Sequence, residues 1–317
     1  MASTISEYLV KAASYNNASQ GFLKKIRTLG DQFSTLHGFK AANVEDLEEI
    51  KNQEGFPLIT PMTDKEKHIV HLIQNDIDDT LSLEDNFIAL LTARFIRKQT
   101  KMLSDMSLED INTNPLLCNA LKLETVSDLV RYNVYALATR SIVTSMGYLV
   151  QDLLLYSSSD VFDGKEYKEG KNSKWDIVVE RMDTVRSYIE IKSGPNDLDA
   201  AQVKNYKSEI YSVERKGHKG YIGITYGKRD ANTVTLNLFR QYLDNWEERT
   251  LIGTELWDYV SKNESYHEEL MSMIKQTATL VLQEQSIVSL IEQRIDVLID
   301  VFNATYGSID EYYAQLW

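Results

Sequence analysis

Three residues with the chemistry of a metal-dependent hydrolytic site lie close together in the middle of the chain. Asp176 precedes Glu190 by fourteen residues, and Lys192 follows Glu190 two residues later. Two carboxylates at one sheet edge can hold a divalent cation against a phosphodiester, and a lysine beside them can offset charge in the transition state. The spacing therefore predicts a phosphodiester-cleaving site, provided that the surrounding elements bring these side chains together.

A hairpin is the element that would do so. Residues 175–181 and 185–192 are rich in β-branched and aromatic residues, and the short segment Met182–Thr184 lies between them as a turn. In an antiparallel hairpin with so short a turn, Asp176 at the start of the first strand lies near Glu190 at the end of the second.

Side-chain alternation separates the second strand into two faces. Glu190 and Lys192 project to one side, while Ile189 and Ile191 project to the other, apolar side. The run Ser193–Asp197 then favours a turn that ends the strand. Charged side chains at a strand end, leading into a loop, are well placed to meet a ligand.

The pattern after this loop predicts an α/β core. Residues 200–213 are helical in character, with Asp199 or Asp197 able to cap the helix start. Residues 220–226 form a compact apolar strand, and residues 233–239 are expected to add another. Helix, hairpin, helix and strand in this order favour an α/β fold with a mixed sheet.

The two ends of the chain are mainly helical. Thr63–Glu66 matches a capping box before an apolar helix, and residues 126–156 form one or two long helices. We expect residues 1–118 to be a mainly helical N-terminal region for DNA binding or dimerisation. Residues 119–317 would be the catalytic domain, with helices at its C-terminal end.

Composition limits the class of protein. The 317 residues are 43% hydrophobic and 26% charged, which is typical of a soluble globular protein. No apolar run approaches the ~20 residues of a membrane span, and no basic segment followed by an apolar region opens the chain, so a cytoplasmic protein is expected. Cys118 is the only cysteine, which excludes intramolecular disulfides and thiolate-rich zinc sites.

The net charge of −13 argues at first against a nucleic-acid partner, because the phosphate backbone is itself negative. The distribution of charge along the chain removes this objection for the segment that contains the candidate site. Residues 160–230 contain 14 Lys plus Arg against 13 Asp plus Glu, a local charge of +1, which leaves −14 on the rest of the chain. Bound metal would neutralise further acids within this segment.

With these elements in place, the chain resembles the PD-(D/E)XK nuclease superfamily over roughly residues 126–240, and most of all its type II restriction endonucleases. Asp176 matches the first motif acid, and Glu190-Ile-Lys192 matches the second motif. The resemblance implies a restriction-endonuclease-like fold, a mixed β-sheet core flanked by helices, with helical N-terminal and C-terminal regions.

Shorter segments resemble narrower groups. Asn114-Pro-Leu, Asp128-Leu-Val and Gly253-Thr-Glu-Leu-Trp257 are similar to segments of the restriction enzymes that cut interrupted GG-N-CC palindromes. The spacing Gln202-x-x-x-Tyr206 is similar to the helix signature of exonuclease-like members of the superfamily.

One departure concerns the helix before the hairpin. Many members carry a glutamate there, close to the metal, whereas this chain has Gln151 followed by Asp152. Asp152 could substitute for that acid, or Gln151 could act through water. A first metal site does not depend on this residue, but a second one would.

By this resemblance, Asp176 and Glu190 are Mg²⁺ ligands, with the Ile191 carbonyl a further candidate. Oxygen ligands with retained waters suit this cation. Lys192 would orient the attacking water or stabilise developing charge, and the products would carry 5′-phosphate ends.

Double-stranded DNA is the implied substrate, and palindromic cutting favours a twofold homodimer because each strand needs an active site. Basic residues around the hairpin are candidates for contacts to DNA phosphates. They are Arg181, Arg186, Lys204, Lys207, Lys228 and Arg229.

Two other readings stay open at this point. Gln202 and Tyr206, four apart on one helix, would suit a repair or recombination exonuclease. Alternatively, the acidic composition would suit a non-catalytic α/β assembly protein in which Glu190 and Lys192 form an ordinary surface ion pair.

Overall fold

The computed structural model of the chain describes residues 4–111, 113–167, 175–181, 185–196 and 198–316. The chain divides into two compact units, Met1–Arg94 and Phe95–Trp317. The predicted turn Met182–Thr184 and the candidate cap Asp197 lie outside the described residues.

The first unit is helical, as its sequence pattern predicts. Thr63 and Glu66 form the expected capping box at the start of the fifth helix, with the Glu66 carboxylate accepting from the Thr63 N–H over 2.8 Å. The helices that begin in this unit are α1 Thr4–Tyr15, α2 Gln20–Gly30, α3 Leu36–Ala41, α4 Val44–Glu49, α5 Asp64–Asp76 and α6 Leu83–Asp105.

The second unit contains the sheet and the remaining helices. These helices are α7 Pro115–Ala120, α8 Val126–Leu155, α9 Ala200–Glu214, α10 Val234–Tyr242, α11 Thr254–Ser261, α12 Tyr266–Leu282, α13 Ile287–Tyr306 and α14 Ile309–Ala314. In the part of the chain that the structure describes, none of the helices combines the length and the apolar character needed to cross a membrane.

The sheet is mixed, as predicted. Its strands, in spatial as well as chain order, are β1 Val161–Asp163, β2 Ile177–Glu180, β3 Arg186–Lys192, β4 Lys219–Ile224 and β5 Thr250–Ile252. The first three strands pair antiparallel, and β3, β4 and β5 pair parallel. The fold is thus an α/β architecture of the restriction-endonuclease-like kind, with a five-stranded mixed sheet flanked by helices.

The long helix α8 extends from the helical core to the sheet. Thr125 and Asp128 form a capping box at its start. Near this end, Leu129 and Val134 are fully buried in a core that also contains Ile295 of α13. Because a helix of 30 residues is about 45 Å long, α8 can be anchored at one end while its last turns lie beside β1 and the hairpin.

The expected strand at residues 233–239 is wrong, because this segment begins helix α10. The Thr-Val-Thr sequence at its start favours a strand locally. However, the Thr233 side chain accepts from the Leu236 N–H over 3.3 Å and caps a helix. Leu236, Phe239 and Leu243 are then buried together, a spacing that only a helix brings to one face.

Candidate active site

The register of the hairpin places the two acids predicted for the site, Asp176 and Glu190, opposite each other. Ile177 of β2 pairs with Ile189 of β3. Continuing this register by one residue places Asp176 opposite Glu190. The Asp176 N–H donates to the Ile189 carbonyl over 3.1 Å and fixes the chain as it enters β2.

Both oxygens of the Asp176 carboxylate accept hydrogen bonds. The Gln151 amide donates to Oδ1 over 2.9 Å, and the Ile191 N–H donates to Oδ2 over 2.7 Å. Burial, followed by the negative charge of Glu190, raises the pKa of Asp176 to about 7. Two carboxylates therefore lie close together where water solvates them poorly, which makes it unfavourable for both to be charged.

The Glu190 carboxylate is buried, with 7% of the residue exposed. Its Oε1 accepts from Lys192 Nζ and from the Tyr206 hydroxyl, each over 2.8 Å. Its Oε2 is buried and has no hydrogen-bond partner among the residues that the structure describes. Buried polar atoms are nearly always satisfied, so an unpartnered carboxylate oxygen beside a second carboxylate fits a cation ligand.

Lys192 and Tyr206 complete the polar face. Burial by itself lowers the pKa of Lys192, but its hydrogen bonds to Glu190 and Tyr206 raise the pKa above the ordinary value, so the ammonium keeps its charge. Burial raises the pKa of Tyr206 to about 12, which keeps the phenol a neutral donor. The site therefore presents two acids, one fixed cation and one hydroxyl.

The donor set fits a hard divalent cation that retains water. Within the described ranges, no three His, Cys, Asp or Glu side chains form a metal-binding group. Asp176 and Glu190 can supply two carboxylates, so the further ligands would be a backbone carbonyl and water. Mg²⁺ commonly binds proteins in this way, through one or two carboxylates and several waters.

The accessory candidates separate into two groups. Gln151 hydrogen-bonds Asp176 directly, and Asp152 lies next to it, half-buried near the end of α8. Tyr206 contacts Glu190, but Gln202 is exposed and its side chain accepts from the Asp199 N–H over 3.0 Å. Gln202 therefore caps its own helix α9 and is not brought to the carboxylates.

Most of the basic residues predicted to contact DNA instead pair with other residues of the protein. Arg181 donates to the Tyr259 carbonyl, and its guanidinium carbon lies 4.6 Å from the centroid of the Tyr259 ring. Arg186, Lys207 and Arg229 form ion pairs with Glu180, Asp244 and Glu255, respectively. Lys204 and Lys228 are exposed, although Lys204 Nζ also lies 4.5 Å from the Tyr242 ring centroid.

Replacing Arg229 with Ala is expected to destabilise the fold. Its guanidinium binds the Glu255 carboxylate and donates to the Thr250 carbonyl over 2.9 Å. We expect the free energy of unfolding to fall by about 1–2 kcal/mol, because charged hydrogen bonds are lost at a partly exposed site.

Urea denaturation measures this effect, and Lys228→Ala is the control. The side chain of Lys228, next to Arg229 in the sequence, is exposed, so its removal should change the free energy of unfolding by less than about 0.5 kcal/mol. Unchanged stability of Arg229→Ala together with weaker DNA binding would instead make Arg229 a DNA contact.

The motif spacing does not predict one charged residue near the site, Lys165. Lys165, in the turn after β1, is close enough to Asp176 to oppose the rise of its pKa. Its position depends on the pairing of β1 with β2, which the motif spacing does not encode.

The family model of the type II restriction endonuclease EcoO109I matches residues 84–280, more than half of the chain, and the matched range contains Asp176, Glu190 and Lys192. No curated protein matches the chain.

Proposed function

Because the chain belongs to the family of the type II restriction endonuclease EcoO109I, we propose that it is a Mg²⁺-dependent nuclease that hydrolyses double-stranded DNA at a specific sequence and leaves 5′-phosphate ends. DNA is the substrate of the family. We further propose that the site is of the PD-(D/E)XK kind, with Asp176 as the first motif acid and Glu190-Ile-Lys192 as the second motif.

The observation that carries the proposal is the polar face of the hairpin. Asp176 lies opposite Glu190 in the register, and Lys192 shares the face of Glu190. Within the described part of the chain, the buried Glu190 Oε2 accepts no hydrogen bond. An ordinary surface ion pair would be exposed and solvated, whereas only 9% of the Glu190 side chain is exposed. This favours a catalytic site over the assembly protein considered above.

Each residue then has a role in hydrolysis. Asp176 and Glu190 would bind Mg²⁺, with the Ile191 carbonyl as a further ligand. The cation, when bound, would act as a Lewis acid toward the phosphoryl group and promote ionisation of the attacking water. Lys192 would hold positive charge at the scissile phosphate, where negative charge develops, and Tyr206 would fix the Glu190 carboxylate.

Gln151 replaces the acid that many similar nucleases carry at this place. Its amide hydrogen-bonds the Asp176 carboxylate but adds no negative charge. Among the described residues, Asp176 and Glu190 are then the two carboxylates at the site, which favours one metal ion per active site.

A homodimer is the expected assembly, because an interrupted GG-N-CC palindrome presents one cleavage point on each strand. The exposed Lys204 and Lys228 are our candidates for phosphate contacts. We also propose that the helical region 1–118 serves DNA binding or dimerisation, and that residues 119–317 form the catalytic domain.

Digestion of a circular plasmid and of its linear form, with Mg²⁺ and with EDTA, tests the proposed function. We expect discrete fragments from both substrates in Mg²⁺, all with ends that map to one short sequence and carry 5′-phosphate. EDTA should abolish cleavage. Intact circles with erosion of linear ends would indicate an exonuclease, and no cleavage under any condition would indicate a non-catalytic protein.

A further inference from the structure

A single glycine lies against the backbone that brings Asp176 into the site. Gly164 opens the 3-10 turn Gly164–Glu166, which follows directly after β1. Its N–H donates to the main-chain carbonyl of Asp176 over 3.0 Å. The turn and the acid are thus joined backbone to backbone.

No side chain fits at this position. A Cβ atom on Gly164 would lie 2.1 Å from the Trp175 carbonyl oxygen, 2.6 Å from the Trp175 carbonyl carbon and 3.1 Å from the carbonyl carbon of Asp176. These are backbone atoms, so no change of rotamer relieves the overlap. A larger residue must separate the turn from the Trp175–Asp176 peptide by about 1 Å, because close-packed interiors leave no free space for the added group.

The contacts around the Trp175–Asp176 peptide make the Asp176 carboxylate sensitive to this movement. Trp175 is 2% exposed and packs in the core, with its ring 5.9 Å from that of Tyr188. The indole is therefore held in place. Asp176 is fixed by hydrogen bonds from Gln151 and Ile191 of 2.9 and 2.7 Å, which a shift of about 1 Å would break.

We propose that Gly164 is a positioning residue of the hydrolytic site. Its lack of a side chain lets the turn after β1 approach closely enough to hold Asp176 opposite Glu190. Gly164 acts through the Asp176 backbone and contacts neither substrate nor cation. This inference rests on the proposed function, because it concerns how one cation ligand is held.

Gly164→Ala tests the inference, with Gly147→Ala as the matched control. A Cβ atom on Gly147, in helix α8, would meet no atom within 4 Å. We expect Gly164→Ala to raise the Mg²⁺ concentration for half-maximal cleavage by about 10- to 100-fold, the range found when groups supporting metal ligands are changed. Calorimetric titration with Mn²⁺ should show a similar loss of affinity, and Gly147→Ala should match the wild type.

Asp163→Ala provides a second, milder variant in case Gly164→Ala does not fold. The Asp163 carboxylate accepts from the Lys165 N–H over 2.9 Å and stabilises the turn that contains Gly164. Removing it loosens the turn without creating an overlap, so a rise of about threefold in the Mg²⁺ requirement is expected, smaller than the full effect of a supporting group.

The outcomes separate this inference from the proposed function. A folded Gly164→Ala protein with a wild-type Mg²⁺ requirement and Mn²⁺ affinity overturns the role of Gly164 alone. If that variant is unfolded, wild-type behaviour of Asp163→Ala overturns it. A wild-type protein that neither binds Mn²⁺ nor cleaves DNA overturns the proposed function and this inference together.

Discussion

Replacing Lys192 with Ala is expected to lower the rate of Mg²⁺-dependent DNA cleavage by about 10³-fold, the scale found when one group that stabilises transition-state charge is removed. The ammonium donates to Glu190 over 2.8 Å and lies 5.2 Å from the centroid of the Tyr206 ring. The fold should tolerate the change, because the Tyr206 hydroxyl still donates to Glu190. Single-turnover cleavage of plasmid measures the rate.

Lys204→Ala is the control for this experiment. Lys204 is also a lysine near the site, but it is exposed on α9. Its loss should weaken DNA binding slightly and leave the single-turnover rate at saturating enzyme almost unchanged. For Lys192→Ala, the DNA affinity measured by gel shift without metal should be close to that of the wild type. An unchanged cleavage rate of this variant would show that Lys192 has no role in the chemistry.

Replacing Asp176 with Asn, or Glu190 with Gln, is expected to abolish Mg²⁺-dependent cleavage while DNA binding is retained. Each change keeps the size of the side chain but removes a charged oxygen ligand, and neutral amides bind Mg²⁺ poorly. Cleavage should fall by more than about 10³-fold, because the cation supplies most of the electrostatic stabilisation.

The Asp176→Asn substitution should also stabilise the protein when no metal is bound. Two buried carboxylates repel each other, and the pKa of Asp176 is raised from its ordinary value to about 7 by burial and by Glu190. The folded state therefore binds the proton more tightly than the unfolded state. The resulting penalty grows as the pH rises from about 4 to about 7 and is complete at pH 8.

At pH 8 without metal, Asp176→Asn should accordingly melt a few degrees above the wild type, and the difference should shrink toward pH 4. Thermal unfolding at both pH values measures this. A lower melting temperature for the variant at pH 8 would mean that the Asp176 carboxylate stabilises the fold, and the site would then be structural.

Much of the site follows from short-range sequence patterns. Alternation along β3 separates Glu190 and Lys192 from the apolar Ile189 and Ile191, and the hairpin spacing brings Asp176 opposite Glu190. These relations depend on residues close in sequence, so the motif alone predicts them. The mixed sheet and its flanking helices follow from the order of the elements for the same reason.

Contacts between distant segments were less predictable. Gln202 matches a helix signature by spacing, but as the third residue of α9 it completes a capping box with Asp199. Arg181 and Arg229 are basic residues near the hairpin, yet the packing of later segments binds them internally. Residues 233–239 favour a strand locally, and tertiary burial of one apolar face made them helical.

The contact of Gly164 with Trp175 belongs to this second class. It arises from the antiparallel pairing of β1 with β2, which includes Asp163 with Ile177. Glycine is common in turns for many reasons, so its presence in the sequence does not indicate that the Asp176 backbone lies against it.

DNA hydrolysis is proposed to depend on the Asp176 and Glu190 carboxylates, which lie opposite each other on the hairpin. The most direct test is a plasmid digest with wild type and Glu190→Gln, purified in parallel, in Mg²⁺ and in EDTA. We predict sequence-mapped fragments from the wild type in Mg²⁺ alone and intact plasmid from the variant under both conditions. The same fragments from Glu190→Gln at a wild-type rate, or from the wild type in EDTA, would contradict the claim.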